Sequence, residues 1–140
     1  MTELFVPYEE AKALRDLGFN EECLTTYLNG ELETKEMFFF THTFRSHKTQ
    51  EFISAPLYSQ AFKWFREKHN AHYAISRYPQ GAIEASNKNG GNLKKYGWYI
   101  CKDELNPSIP KDGSGQCDTY EEAELTCLRK LIEITKKKIK

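Results

Sequence analysis

The chain has 140 residues, enough for one domain with a real hydrophobic core. Lys+Arg and Asp+Glu are equal at 20 each, and zero net charge argues against an extended nucleic-acid binder, which carries a basic excess. Aromatic residues reach 14% against 39% hydrophobic overall, so Phe and Tyr must supply much of the burial, and no stretch approaches the roughly 18 apolar residues needed to span a bilayer.

Met1-Thr2-Glu3-Leu4 lacks the basic and apolar start of a secretory signal, so a cytoplasmic protein with no membrane partner is expected. Pro7 suits the first position of a helix, because its missing N–H costs nothing there. Tyr8-Glu9-Glu10-Ala11 places acidic residues in the first turn, Ala11, Leu14 and Leu17 follow at helical spacing, and Gly18 is a natural stop. The first helix is therefore expected over Pro7 to Leu17. Cys23 to Leu28 is β-prone, and Asn29-Gly30 signals a hairpin with a return strand from Glu31. Lys35 to Arg45 alternates by residue type, with apolar groups on both faces near Met37 to Phe40, as in a central strand. Arg45 to Gln50 reads as a loop.

Ser54-Ala55-Pro56 reads as a second helix start, with Ser54 or Ala55 near the cap and Pro56 at the first position. Leu57, Ala61, Trp64, Phe65 and Lys68 share one face, and Tyr58, Phe62 and His69 form an adjoining stripe. That apolar arc is wide enough for burial on two sides. Asn70 ends the helix. His72 to Tyr78 alternates as a strand. Pro79-Gln80-Gly81 reads as a turn, Ala82 to Ala85 as a short strand, and Asn87 to Asn92 as a loop. Lys95 to Lys102 is a strand in which Tyr96, Trp98 and Ile100 alternate with Lys95, Gly97, Tyr99 and Cys101. Asp103 to Cys117, with two prolines and two glycines, reads as a long exposed loop. Tyr120-Glu121-Glu122-Ala123 repeats the first helix's opening, with Thr119 and Glu122 spaced as a capping box. Tyr120, Ala123, Cys127, Leu128, Leu131 and Ile134 or Thr135 form its core stripe. Lys136 to Lys140 is a basic tail that complements the helix dipole.

This order predicts an α+β fold, with an antiparallel sheet and about three helices packed mainly on one face. Cys23, Cys101, Cys117 and Cys127 have no CxxC spacing and read as free thiols, with Cys127 buried.

Three segments carry a family resemblance. They are Phe5-Val6-Pro7-Tyr8-Glu9-Glu10-Ala11-Lys12-Ala13-Leu14 through Phe19, Ala55-Pro56-Leu57-Tyr58 through Asn70, and Thr119-Tyr120-Glu121-Glu122-Ala123-Glu124-Leu125 through Ile134. They resemble a group of small, uncharacterised phage and prophage proteins of Bacteroides-like bacteria. The resemblance implies a phage setting inside a bacterial host. It covers helix starts and core stripes, so it implies a shared fold and carries over no site residue.

Chemistry is sparse. His69 and His72 straddle a helix end and His42 and His47 a strand end, without the clustered pairs of a zinc site. No nucleophile elbow, P-loop or dinucleotide fingerprint is present. Glu9-Glu10 and Glu121-Glu122 open helices, where the dipole explains them, and Glu21-Glu22 lies near one. A non-enzymatic protein with no cofactor and no metal is expected. Basic and aromatic residues do interleave: Arg66 and His69 on the middle helix, Arg77 and Tyr78 at the end of one strand, Lys95 and Tyr99 on the next. If those strands neighbour each other, one sheet face shows Tyr78 and Tyr99 with Lys95 close by, a chemistry suited to bases and phosphates. The same residues have a blander role, since strand aromatics commonly pack on helices and lysines solvate edges. Trp64 and Trp98 belong to the core. The candidate ligand residues are thus Arg66, His69, Arg77, Tyr78, Lys95 and Tyr99. The leading expectation is sequestration of a small anionic nucleotide-like ligand by a homo-oligomer, as a modulator of host defence. A module that binds a host protein comes second and a single-stranded nucleic-acid binder third.

Overall fold

The computed structural model describes residues 2–33, 51–101 and 113–139. Two compact units make up the chain, Met1–Trp64 and Phe65–Lys140.

In the first unit, a 3-10 turn at Thr2–Leu4 leads to Phe5, which bridges Leu57. Helix α1, Tyr8–Asp16, lies within one residue of the expected Pro7 to Leu17 at each end, with Pro7 as its N-cap, and Gly18 follows its end at a φ of 101°. Strands β1 (Thr25–Leu28) and β2 (Glu31–Leu32) form the hairpin expected at Asn29-Gly30. Both turn residues have positive φ, 52° and 88°, the geometry that makes Asn-Gly a favoured hairpin turn. Strand β3 (Phe52–Ala55) pairs antiparallel on the other side of β1. Helix α1 packs on β3, burying Leu14 fully. The Tyr27 hydroxyl reaches across to donate to the Val6 carbonyl at 2.8 Å.

Helix α2 (Tyr58–His69) contains the boundary between the units. Tyr58, Ala61, Phe62, Trp64 and Phe65 are all buried, the wide apolar arc expected of it. It starts two residues later than the sequence reading placed it. Ala55 precedes a proline and is pushed toward extended backbone, so Phe52 to Ala55 forms a strand instead of a cap. The start is capped from within, the Leu57 N–H donating to Gln60 Oε1 at 3.0 Å. Asn70 closes the helix with a φ of 49°.

In the second unit, β4 (His72–Arg77), β5 (Tyr96–Cys101) and β6 (Gly113–Cys117) form an antiparallel sheet in the order β4-β5-β6. Helix α3 (Gln80–Lys88) lies between β4 and β5 in the chain. Helix α4 (Tyr120–Ile139) packs along the sheet. Its Thr119 cap forms, the Glu122 N–H donating to Thr119 Oγ1 at 3.1 Å, while the Glu122 carboxylate reaches back one residue further to accept from the Asp118 N–H at 3.3 Å. Ala123, Cys127, Leu128, Leu131, Ile132 and Thr135 are buried, and with Trp98 and Ile100 they make this unit's core. Each fully buried Leu or Ile in that set contributes roughly 1.5–3 kcal/mol relative to exposure.

The α+β class holds, with two small antiparallel sheets and four α-helices among the described residues. Two local expectations need correction. Ala82 to Ala85 is part of α3, because Pro79 opens a helix there and alanine, glutamate and lysine favour its continuation. The end of the expected 103–117 loop is strand β6, which forms despite two glycines because β5 pairs with it along its length. Lys136 to Ile139 forms the last turn of α4, where its lysines complement the helix dipole. The strand expected over Lys35 to Arg45, the loop to Gln50 and the loop residues before Gly113 lie outside the described residues.

Candidate functional site

The register of β4 against β5 decides which side chains meet. His72 pairs with Cys101, Ile75 with Trp98 and Arg77 with Tyr96. The Tyr78 N–H donates to the Lys95 carbonyl at 2.9 Å and extends the ladder by one pair. Side chains alternate across a sheet, so each paired row belongs to one face.

Helix α4 identifies one face. The Tyr96 and Tyr120 rings meet edge-on at 6.0 Å, Cys117 Sγ lies 3.8 Å from Thr126 Oγ1, and Lys130 lies over Gly113. Tyr73, Ile75 and Arg77, with Tyr96, Trp98 and Ile100, therefore face α4. The opposite face carries Ala74, Ser76 and Tyr78 from β4 and its extension, Lys95, Gly97 and Tyr99 along β5, and Ser114 and Gln116 from β6.

On that second face Gly97 is the pivot. A methyl group in its place would fall 2.6 Å from Tyr78 Oη and 2.9 Å from Cζ, so the phenol end of Tyr78 occupies the space a side chain would take. Tyr78 covers Gly97, which is buried, while Lys95 and Tyr99 on either side of it are exposed. Tyr99 retains 36% of its surface. Ser114 and Gln116 are exposed beside them, and Gln116 Oε1 accepts from the Lys94 N–H at 3.3 Å, which fixes the entry to β5. Tyr78, Lys95 and Tyr99 thus share one face, as the alternation anticipates.

The other three candidates are not with them. Arg77 is on the α4 face by parity and is exposed at the strand's end. Arg66 acts on Tyr73, also on the α4 side: the guanidinium pulls the Tyr73 phenol down while burial, the larger effect, raises it. His69 is half-buried with its ring 5.9 Å from that of Phe65, and burial and then Lys138 of α4 hold its imidazole below the usual histidine range. These residues do not join the Tyr78 face because one strand step reverses side-chain direction and because Arg66 and His69 lie toward Tyr73 and Lys138 on the α4 side.

Gly97, Ser114 and Gln116 were not singled out by sequence. Gly97 carried a signal, since a glycine inside a strand marks a close approach. Ser114 and Gln116 gave none, because β6 has no hydrophobic alternation.

Around Tyr120 on the α4 face, burial raises the Tyr120 phenol and the Glu124 carboxyl, and neighbouring carboxylates add to both shifts. Among the described residues no three His, Cys, Asp or Glu side chains gather as a metal set, and no helix is long and apolar enough to cross a membrane. No protein-family model, no curated protein and no solved structure matches the chain.

Proposed function

We propose that this chain is a non-enzymatic binding protein that takes a nucleotide-like ligand on the exposed face of its β4-β5-β6 sheet. The observation that carries the reading is the placement of the half-buried Tyr78 and the exposed Lys95 and Tyr99 on one sheet face, with Gly97 letting Tyr78 lie down against the strand. Tyrosine rings offer π-faces on which bases stack, and the lysine ammonium supplies charge for a phosphate. The reading needs no nucleophile or acid–base pair, in keeping with the residues on this face. In the phage setting that the resemblance implies, sequestering such a ligand would modulate the host.

Native mass spectrometry of the purified protein mixed with linear and cyclic nucleotides tests this directly. A defined added mass is expected, and Lys95→Ala should weaken it. Arg66→Ala should leave it intact, because Arg66 serves the α4 side. If no nucleotide adds mass to the wild-type protein, the reading fails and a protein partner becomes the better one.

A further inference from the structure

We infer that the Tyr78–Tyr99 face takes two successive bases of a single-stranded nucleic acid, one stacked on each ring. This rests on the nucleotide-binding reading above and narrows its ligand class. The geometry provides two aromatic residues on one sheet face, Tyr78 from the extension of β4 and Tyr99 from β5. Tyr78 enters beside Lys95, and its phenol end reaches the row of Gly97. Tyr99 stands two residues beyond Gly97 along β5, a backbone step of about 7 Å at the usual strand rise. That separation suits neighbouring bases of an extended strand drawn apart from each other. A free mononucleotide engages one ring and leaves the other in water.

The openness of the face points the same way. Pockets for free small molecules are concave and bury most of the ligand. Here Ser76, Lys95, Tyr99, Ser114 and Gln116 are all exposed, so a polymer can pass across the rings and continue beyond them. Stacking on open aromatic platforms tolerates different sequences, because every base has a π-face. The Ser114 hydroxyl and the Gln116 amide N–H groups add neutral hydrogen-bonding groups on the same face, suited to the Watson–Crick edges that an unpaired strand leaves open and a duplex keeps paired.

The test is fluorescence anisotropy with a labelled single-stranded oligoadenylate, compared with competition by AMP, using the full chain. Oligoadenylate is expected to bind at least roughly 5-fold more tightly than AMP, the gain from a second stacked base. Tyr99→Ala should reduce oligonucleotide affinity by roughly 5- to 150-fold and bring it toward that of AMP, whereas Tyr99→Phe should keep it. Tyr99 is exposed, so its replacement leaves the fold intact, which circular dichroism checks. Equal affinity for AMP and oligonucleotide, unmoved by Tyr99→Ala, would overturn the two-base inference and leave nucleotide binding standing. Binding of neither probe would overturn both.

Discussion

Gly115 offers a sharp check on how the second sheet is packed. It pairs with Trp98 across β5 and β6. A methyl group there would lie 2.7 Å from Trp98 Nε1 and 2.8 Å from Cε2 and Cζ2. Carbon atoms prefer about 3.5–4.0 Å, so the overlap approaches 1 Å. The indole is rigid and 94% buried, since only 6% of it is exposed, and it cannot swing aside as a flexible chain end can. Overpacking of this kind costs about 1–3 kcal/mol. Against it stands the backbone entropy saved when glycine is replaced, about 0.5–1 kcal/mol. Gly115→Ala should therefore destabilise by up to about 2.5 kcal/mol. Gly81 is the control, because a methyl group there meets nothing within 4 Å and the backbone is helical. Gly81→Ala should stabilise by about 0.5 kcal/mol. Urea unfolding followed by tryptophan fluorescence and circular dichroism reads both variants, with an unchanged denaturant slope expected. A Gly115→Ala midpoint at or above wild type, with Gly81→Ala behaving as expected, would refute the close Trp98–Gly115 packing.

Thr119→Ala removes the acceptor for the Glu122 N–H and should cost about 1 kcal/mol, seen as a lower urea midpoint, while Thr119→Ser should be nearly neutral. Burial pushes the Cys127 thiol up to about 12, so iodoacetamide at pH 8 should modify it only after unfolding, as peptide mass mapping would show. His69 is held below its ordinary range when folded, so the unfolded chain binds its proton more readily. Its contribution to stability is complete above the unfolded pKa, near 6.5, and is lost as pH falls through the folded value. A His69→Gln variant should lose less stability than wild type between neutral pH and about pH 5, compared by urea midpoints.

Elements with a local cause were legible in the sequence. The Asn29-Gly30 turn, the helix start at Pro7, the Thr119 cap and the alternation of β4 and β5 each depend on a few neighbouring residues, and each appears within a residue of where it is expected. Strand β6 was not legible, because Gly-Ser-Gly-Gln-Cys has little intrinsic β-propensity and owes its conformation to β5 and to the room its glycines leave for Trp98 and Lys130. Helix α3 was missed for a related reason: it buries no residue, so no hydrophobic stripe marks it. The candidate site divides along the same line. Residue parity along β4 and β5 was enough to group Tyr78, Lys95 and Tyr99. Arg66 and Arg77 were grouped with them by charge, and charge says nothing about which face of a sheet a residue occupies.

The distribution of charge makes the proposed binding mode testable by salt. Among the described residues, several lysines outside this face are engaged by carboxylates. Lys94 Nζ lies 3.9 Å from Asp118, and Lys130 and Lys137 converge on Glu133 at 3.2 and 2.8 Å. Glu133 is held below the usual carboxylate range, first by its hydrogen bond from Lys137 and then by Lys130. On the Tyr78–Tyr99 face the ammonium at hand is that of Lys95. Each phosphate neutralised on a single strand lowers the logarithm of affinity by about 0.7 per decade of salt. With stacking as the main contribution and one lysine at the phosphate, oligonucleotide binding should show a slope near −0.7. Lys95→Ala should flatten that slope toward zero, while Tyr99→Ala should lower affinity at every salt concentration and leave the slope unchanged. A basic groove engaging three or more phosphates would give a slope steeper than about −2. Such a slope would move the binding surface away from the tyrosine face and toward the exposed lysines of α4.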